Sequence, residues 1–294
     1  MANGLTFFVS FSSSGGSIIR SAFTPAIYDQ FLPQNTIRPE PPEGFTERAK
    51  KYAGPYGFWR SNFSKIEKAL GLGGGVQVAP TEDNTLVVVL DGTAKQYVEI
   101  EENLFRELDP NVSLISGISP ALIAFQEDEN GTITGFVMDG LPFMSLRKLP
   151  AYHTGPFNFA LLGFAMLVFV GVVLRRFYQR ATISSMSSTD RIATSSAVYA
   201  AGANLLVVVS GVIVLTIVQD ELFSGIPLLF KLWLFVPIVA TLAGLYLLFR
   251  NFQVWQQKQL SGAWARVRFS VVTLCAVFMC WFYYYWNILG FQFL

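Results

Sequence analysis

The sequence predicts an α+β membrane protein: a small antiparallel β-barrel-like domain outside the membrane, followed by four transmembrane α-helices. Composition comes first. The 294 residues are 52% hydrophobic and only 14% charged, with a mean hydropathy of +0.43, against about 25% charged in an average soluble domain. Charge distribution is the second observation. Residues 1–156 hold 12 Lys/Arg and 17 Asp/Glu, whereas residues 157–294 hold 9 and 3, which separates an acidic, water-exposed part from a basic, apolar one. Third, the acidic half is written in short β segments between turn residues, and the basic half in long apolar runs.

The apolar half justifies four membrane helices. The runs are 157–174, 197–218, 226–249 and 269–289, each close to the roughly 20 residues that cross a hydrocarbon core. Arg175, Arg176, Arg180 and Arg191 lie between the first two runs, and Arg250, Lys258, Arg266 and Arg268 between the last two. The segment from Gln219 to Gly225 has no Lys or Arg but contains Asp220 and Glu221. Basic loops stay cytoplasmic, so the expected location is the plasma membrane, multi-pass, with the N-terminal domain and C-terminus extracytoplasmic. The Trp281–Trp286 aromatic cluster then falls at the outer interface, and the lipid bilayer is the first partner.

The acidic half begins with an expected strand from Leu5 to Phe11, a Ser/Gly turn, and a helix from Ile18 to Phe31 that ends at Pro33. Residues 34–51, with Pro39, Pro41 and Pro42, read as a linker. Residues 52–150 read as a small all-β domain. Its strands are expected at 57–60, 76–79, 85–90, 95–100, 104–108, 121–126, 132–138 and 143–146, with a short helix capped by Ser61 or Ser64 and stopped by Gly71 to Gly75. Asp91-Gly92 and Asn130-Gly131 are hairpin signals. Eight short strands in about 100 residues point to a small barrel or sandwich. The first residues lack the basic n-region and long apolar h-region of a signal peptide. The expectation is therefore that this sequence is the C-terminal part of a longer exported protein.

Several residues together resemble a known family. They are Tyr52-Ala53-Gly54-Pro55-Tyr56, Arg60, Lys65-Ile66-Glu67-Lys68 and the Gly-rich turn. The ladder continues through Glu99-Ile100-Glu101, Leu104-Phe105-Arg106-Glu107, Ile123-Ala124-Phe125-Gln126 and Asp128-Glu129-Asn130-Gly131, then Phe143 and Pro150-Ala151-Tyr152 before a membrane helix. Most of residues 4–175 is similar to the C-terminal region of membrane-anchored serine hydrolases related to class C β-lactamases and penicillin-binding proteins. The resemblance implies a β module between a catalytic domain and a membrane tail, with residues 1–33 as the remnant of that domain's last strand and closing helix. It also implies a catalytic Ser and Lys (S-x-x-K), a Y-x-N tyrosine and a K-T-G or H-x-G strand, all upstream of residue 4. Whether this chain is an enzyme therefore stays open: the family hydrolyses acyl substrates, but no residue here receives a catalytic, cofactor-binding or metal-ligating role. No cofactor is implied.

Local matches to those motifs read as structural. Ser145-Leu146-Arg147-Lys148 fits S-x-x-K but lies in an expected strand, where Ser145 and Lys148 face opposite sides. His153-Thr154-Gly155 fits H-x-G only five residues further on. Tyr285-Trp286-Asn287 fits Y-x-N inside the fourth apolar run. The Gly71–Gly75 cluster lacks the Lys-Ser/Thr of a phosphate loop. Lys231 is expected to snorkel to the headgroups, and Asn204 to bond between helices. Asn62, Asn111 and Asn130 begin N-x-S/T sequences and read as turn residues. Two cysteines, Cys275 and Cys280, and a single histidine argue against a disulfide framework or a zinc enzyme.

The function expected is membrane anchoring of a β-lactamase-related serine hydrolase outside the cytoplasmic membrane, catalytically inert in this chain. The alternative is a stand-alone membrane adaptor in which a catalytic domain or partner protein pairs with the Leu5–Phe11 strand. A four-helix transporter or sensor is a weaker fit, because paired acids are missing from the apolar runs. Nucleic acid is excluded as a partner, since the positive charge lies beside the membrane runs.

Overall fold

The computed structural model describes residues 39–90, 92–108, 120–139 and 143–292, with scattered positions among the first 31. The expected Leu5–Phe11 strand and Ile18–Phe31 helix, and the sequence beginning at Asn111, lie largely outside the described residues. The chain divides into two compact units, residues 1–60 with 74–154 and residues 61–73 with 155–294.

The first unit is a closed antiparallel barrel in which each strand pairs with its sequence neighbours and the last returns to the first. A short helix, α1 (Phe45–Ala49), precedes β1 (Gly54–Phe58). The meander continues through β2 (Val76–Pro80), β3 (Leu86–Leu90), β4 (Thr93–Glu101), β5 (Leu104–Glu107), β6 (Leu122–Glu127), β7 (Ile133–Met138) and β8 (Leu146–Lys148). Closure removes the unpaired sheet edges that otherwise invite aggregation.

Alternation sets which residues face inward. In β2, Val76 and Val78 are buried while Gln77 and Ala79 are exposed. In β3, Leu86, Val88 and Leu90 are the buried set. Eight strands leave an interior that side chains can fill, and aromatic rings dominate it. Tyr52 and Phe125 have ring centroids 4.7 Å apart, Tyr52 and Phe105 5.0 Å, and Phe136 lies 5.1 Å from both Phe125 and Tyr56. Phe45 and Ala49 of α1 join this core with no exposed surface. The two tyrosine hydroxyls deepest in it are satisfied: Tyr56 donates to the Tyr52 carbonyl at 2.6 Å and Tyr97 to that of Pro120 at 2.9 Å.

Turn chemistry fixes the hairpins. Between β6 and β7 the Asp128 carboxylate accepts from the amides of Asn130 and Thr132, both at 2.9 Å, and Gly131 sits at φ 76°. Gly135 has another reason to be glycine. A Cβ there would lie 2.1 Å from the Leu146 carbonyl oxygen, so the close β7–β8 approach needs a residue without one.

Three expected elements shift. The first strand covers Gly54–Phe58 rather than 57–60, because Tyr56 is the inward residue pairing with both β2 and β8. The last covers Leu146–Lys148 rather than 143–146. The short helix is a 3₁₀ segment, Ile66–Leu72. Neither expected serine caps the turn leading into it: the Asn62 carboxamide oxygen accepts from the Ser64 and Lys65 amides, both at 3.1 Å.

The second unit contains four helical spans long and apolar enough to cross a membrane, so the chain is a multi-pass membrane protein. They are α2 (Gly155–Tyr178); α4 (Ser188–Val218), reached through the short α3 (Arg180–Ser184); α5 and α6 together (Leu228–Trp233, Val236–Gln256); and α7 (Ala263–Tyr285). The second span starts at Ser188 rather than 197, because Ser187 accepts the Asp190 amide as an N-cap at 3.2 Å. The third is interrupted between Trp233 and Val236: Pro237 has no amide proton to continue a helical ladder and serves instead near the start of α6. The fourth ends at Tyr285 rather than 289. Asn287, at φ 55°, adopts the left-handed conformation, and the Ile288 amide reaches back to the Tyr283 carbonyl at 2.8 Å, a helix-ending motif usually built on glycine.

Small residues let these helices approach. Ala197, Ala200, Ala201, Ala240 and Ala276 are buried, as association in lipid requires. A Cβ on Gly211 would meet the Trp233 ring at 2.6 Å, and one on Gly244 the Cys280 sulfur at 2.8 Å. Leu167, Leu206, Leu242 and Leu274 point outward, onto the lipid-facing side.

Candidate functional site

The polar groups of the barrel gather into a linked set. Arg48 of α1 pairs with Glu99 of β4, whose side chain is 4% exposed. The Tyr52 hydroxyl donates to the Asn103 carboxamide oxygen at 2.8 Å and lies 3.3 Å from the Glu99 carboxylate. The Asn103 amide donates to Glu127 at 3.1 Å, and Glu127 receives Lys51 at 2.5 Å. Elsewhere, Lys95, buried completely, pairs with Glu107. The bonds from Lys51 and Asn103 hold the Glu127 carboxyl below its ordinary range, which makes it a weak proton acceptor. Burial and the charge of Glu99 push the Tyr52 phenol upward, which makes it a weak proton donor. The set can clamp α1 to the strands; it has no activated nucleophile.

The motif matches fall in structural places. Lys148 donates to the Lys51 carbonyl at 2.8 Å, with its ammonium 6.0 Å from the centre of the Tyr56 ring, and burial lowers its proton affinity. No hydrogen bond joins it to Ser145, whose carbonyl accepts the Trp59 amide at 2.9 Å. His153 lies 3.3 Å from the Arg147 guanidinium, which stacks near Trp59. These contacts do not form a Ser–base pair. Among the described residues no three of His, Cys, Asp and Glu converge as a metal site.

Inside the membrane unit several buried polar side chains are paired. Tyr283 of α7 donates to the Asn204 oxygen of α4 at 2.9 Å, while the Asn204 amide donates to the Ala200 carbonyl at 2.8 Å. Trp286 donates to Asn158 at 3.1 Å and Trp233 to Ser210 at 3.0 Å. The expected inter-helix role of Asn204 is thus realised.

Two arrangements have no motif in the sequence. The first holds residues 61–73, the connection between β1 and β2, onto the end of α7. The Asn287 amide donates to the Phe63 and Lys65 carbonyls at 3.1 and 2.9 Å, and the Ile66 amide donates to the Gln292 carbonyl at 2.9 Å. Ile66 packs with Val214, Val218, Phe230 and Leu234. Lys68 lies over the Tyr285 ring at 4.0 Å. Gly155, at the start of α2, approaches the Leu72 carbonyl so closely that a Cβ would sit 2.1 Å from its oxygen. The Y-x-N match therefore supplies tethering groups, Tyr285 and Asn287.

The second is a cavity of about 460 Å³ at the basic end of the helices, bounded by α2, α3, α4, the connection after α6 and the start of α7. Arg175, Arg176 and Arg268 line it together with Trp264, Val172 and Val271. Asp190 also lines it, but its carboxylate already accepts the Leu260 amide at 2.7 Å, which ties the α6–α7 connection to α4. In the sequence these arginines report only loop charge. Their convergence depends on two connections, distant in sequence, meeting in space.

Compared with protein-family models, with curated proteins and with solved structures, the chain gives no match in any of the three.

Proposed function

We propose that the chain is the C-terminal, membrane-anchoring portion of a β-lactamase-related serine hydrolase acting outside the cytoplasmic membrane, itself catalytically inert. The observation that carries this reading is the filled barrel: aromatic rings occupy the interior where a ligand-binding barrel would keep space. Several of its charged groups are engaged in ion pairs, Arg48 of α1 with Glu99 of β4, Lys51 with Glu127 of β6, and Lys95 of β4 with Glu107 of β5. A solid barrel in a chain that also carries four apolar spans serves as a support rather than as a reaction vessel. The link to serine hydrolases rests on the resemblance in most of residues 4–175. Orientation follows from the basic connections after α2 and α6, which belong on the cytoplasmic side, and from Asp220 and Glu221 in the connection after α4. The barrel and C-terminus are then extracytoplasmic.

Sequencing the N-terminus of the membrane-extracted native protein tests the assignment directly. An upstream exported domain with S-x-x-K is expected, while the 294-residue chain alone leaves nitrocefin and acyl esters intact. Turnover that disappears in Ser145→Ala would overturn it; a native polypeptide starting at Met1 would favour the adaptor. For orientation, Glu82→Cys is expected to react with a membrane-impermeant maleimide in intact cells, and Thr182→Cys only after lysis.

A further inference from the structure

We propose that the cavity at the basic end of the helices is a binding site for one anionic phospholipid, its phosphodiester held by Arg175, Arg176 and Arg268 and its chains by the apolar wall. Charge supplies the first argument. Among the described residues no carboxylate forms a salt bridge with any of these three arginines, and the one carboxylate on the lining, Asp190, is engaged with the Leu260 amide. Three guanidinium groups and the single Asp190 carboxylate leave the lining net positive, a charge that a bound anion would offset. Guanidinium groups match phosphate oxygens in paired hydrogen bonds.

The second argument is the remainder of the lining. Val172, Ile183, Trp264, Val271 and Val272 make most of the wall apolar. A free phosphate would satisfy the arginines and leave that wall uncovered, whereas a lipid covers both. The volume falls within the roughly 300–1,000 Å³ typical of small-molecule sites. Trp264, 69% exposed, and Val267, 38% exposed, place this lining beside the outward-facing surface of the helices, so a lipid can enter sideways. Basic pockets between membrane helices are suited to anionic headgroups on general electrostatic grounds.

The test uses the full chain, delipidated in mild detergent, with dioleoyl phosphatidylglycerol, dioleoyl phosphatidylcholine or inorganic phosphate added separately. Binding is read by native mass spectrometry and by the shift in unfolding temperature. Phosphatidylglycerol is expected to bind and raise the unfolding temperature, phosphatidylcholine much less, and phosphate neither to bind nor to compete. Each of Arg175→Gln, Arg176→Gln and Arg268→Gln should weaken phosphatidylglycerol binding about fivefold. Arg180→Gln with Arg266→Gln, which removes two nearby charges that do not line the cavity, should leave it unchanged.

Gly171→Phe provides a variant that keeps every arginine. Gly171 lines the cavity, and a Cβ there meets nothing within 4 Å, so the ring can fill the space and exclude the lipid in a folded protein. Equal binding of the two lipids, an equal loss in the Arg180/Arg266 variant, or undiminished binding in Gly171→Phe would each overturn the proposal. Competition by millimolar phosphate would reassign the site to a free anion.

Discussion

Replacing Asn287 tests whether the β1–β2 connection is pinned to the membrane unit. Its carboxamide supplies two hydrogen bonds, to the carbonyls of Phe63 and Lys65, from a position only 8% exposed. At about 0.5–1.5 kcal/mol each, their loss destabilises the docked segment by about 1–3 kcal/mol. Asn287→Gly removes the side chain but keeps the left-handed backbone at no steric cost. Asn287→Ala also places a Cβ in that conformation, adding about 1–2 kcal/mol at the helix end. The reporter is the Ile66 amide, protected by its bond to the Gln292 carbonyl. Hydrogen exchange in nanodiscs should accelerate at Ile66 by about 5- to 150-fold in Asn287→Gly, given a factor of ten for each 1.4 kcal/mol. Asn287→Ala should exchange faster still. Amides of β3 should not change in either variant. Ile66 exchange within twofold of wild type in both folded variants would refute the tethering.

Three further perturbations probe other parts of the chain. Gly135→Ala puts a Cβ against the Leu146 carbonyl oxygen and should cost about 1–3 kcal/mol as an overpacking change, read as a lowered barrel unfolding temperature; an unchanged temperature contradicts the close β7–β8 approach. Glu127, with its carboxyl lowered by Lys51 and Asn103, stabilises the fold above the ordinary value of 4.5, and that contribution is lost as pH falls through the lower folded value. Glu127→Gln should therefore lose less stability on acidification, and parallel pH profiles for variant and wild type would rule this out. In the membrane unit, a cycle of Asn204→Leu and Tyr283→Phe should give a coupling of about 0.6 kcal/mol, at most about 1.7, in detergent unfolding titrations. Zero coupling would mean the Asn204–Tyr283 bond contributes nothing.

The sequence by itself determined the class of the molecule and the number of its main elements. Four apolar runs are legible because a hydrocarbon core demands one long, uncharged stretch per crossing, and that demand is local in sequence. Eight strands are legible because a two-residue alternation, as in Val76-Gln77-Val78, and turn residues such as Asn130-Gly131 are also local signals. The ends of elements were less legible where a side chain acts from a few residues away. Ser187 extends α4 back to Ser188, nine residues before its apolar run begins, and the left-handed Asn287 stops α7 at Tyr285, although that apolar run continues to 289. Barrel closure was decided only in three dimensions, since pairing of β1 with β8 joins Tyr56 to Lys148 across most of the domain. So too were the pinning of Phe63 and Lys65 by Asn287 and the meeting of Arg175 and Arg176 with Arg268. These last arrangements join residues some 90 to 220 positions apart, and no periodicity records them: a side chain's hydrogen-bonding capacity is written in its own residue, but the partner that uses it is chosen by packing.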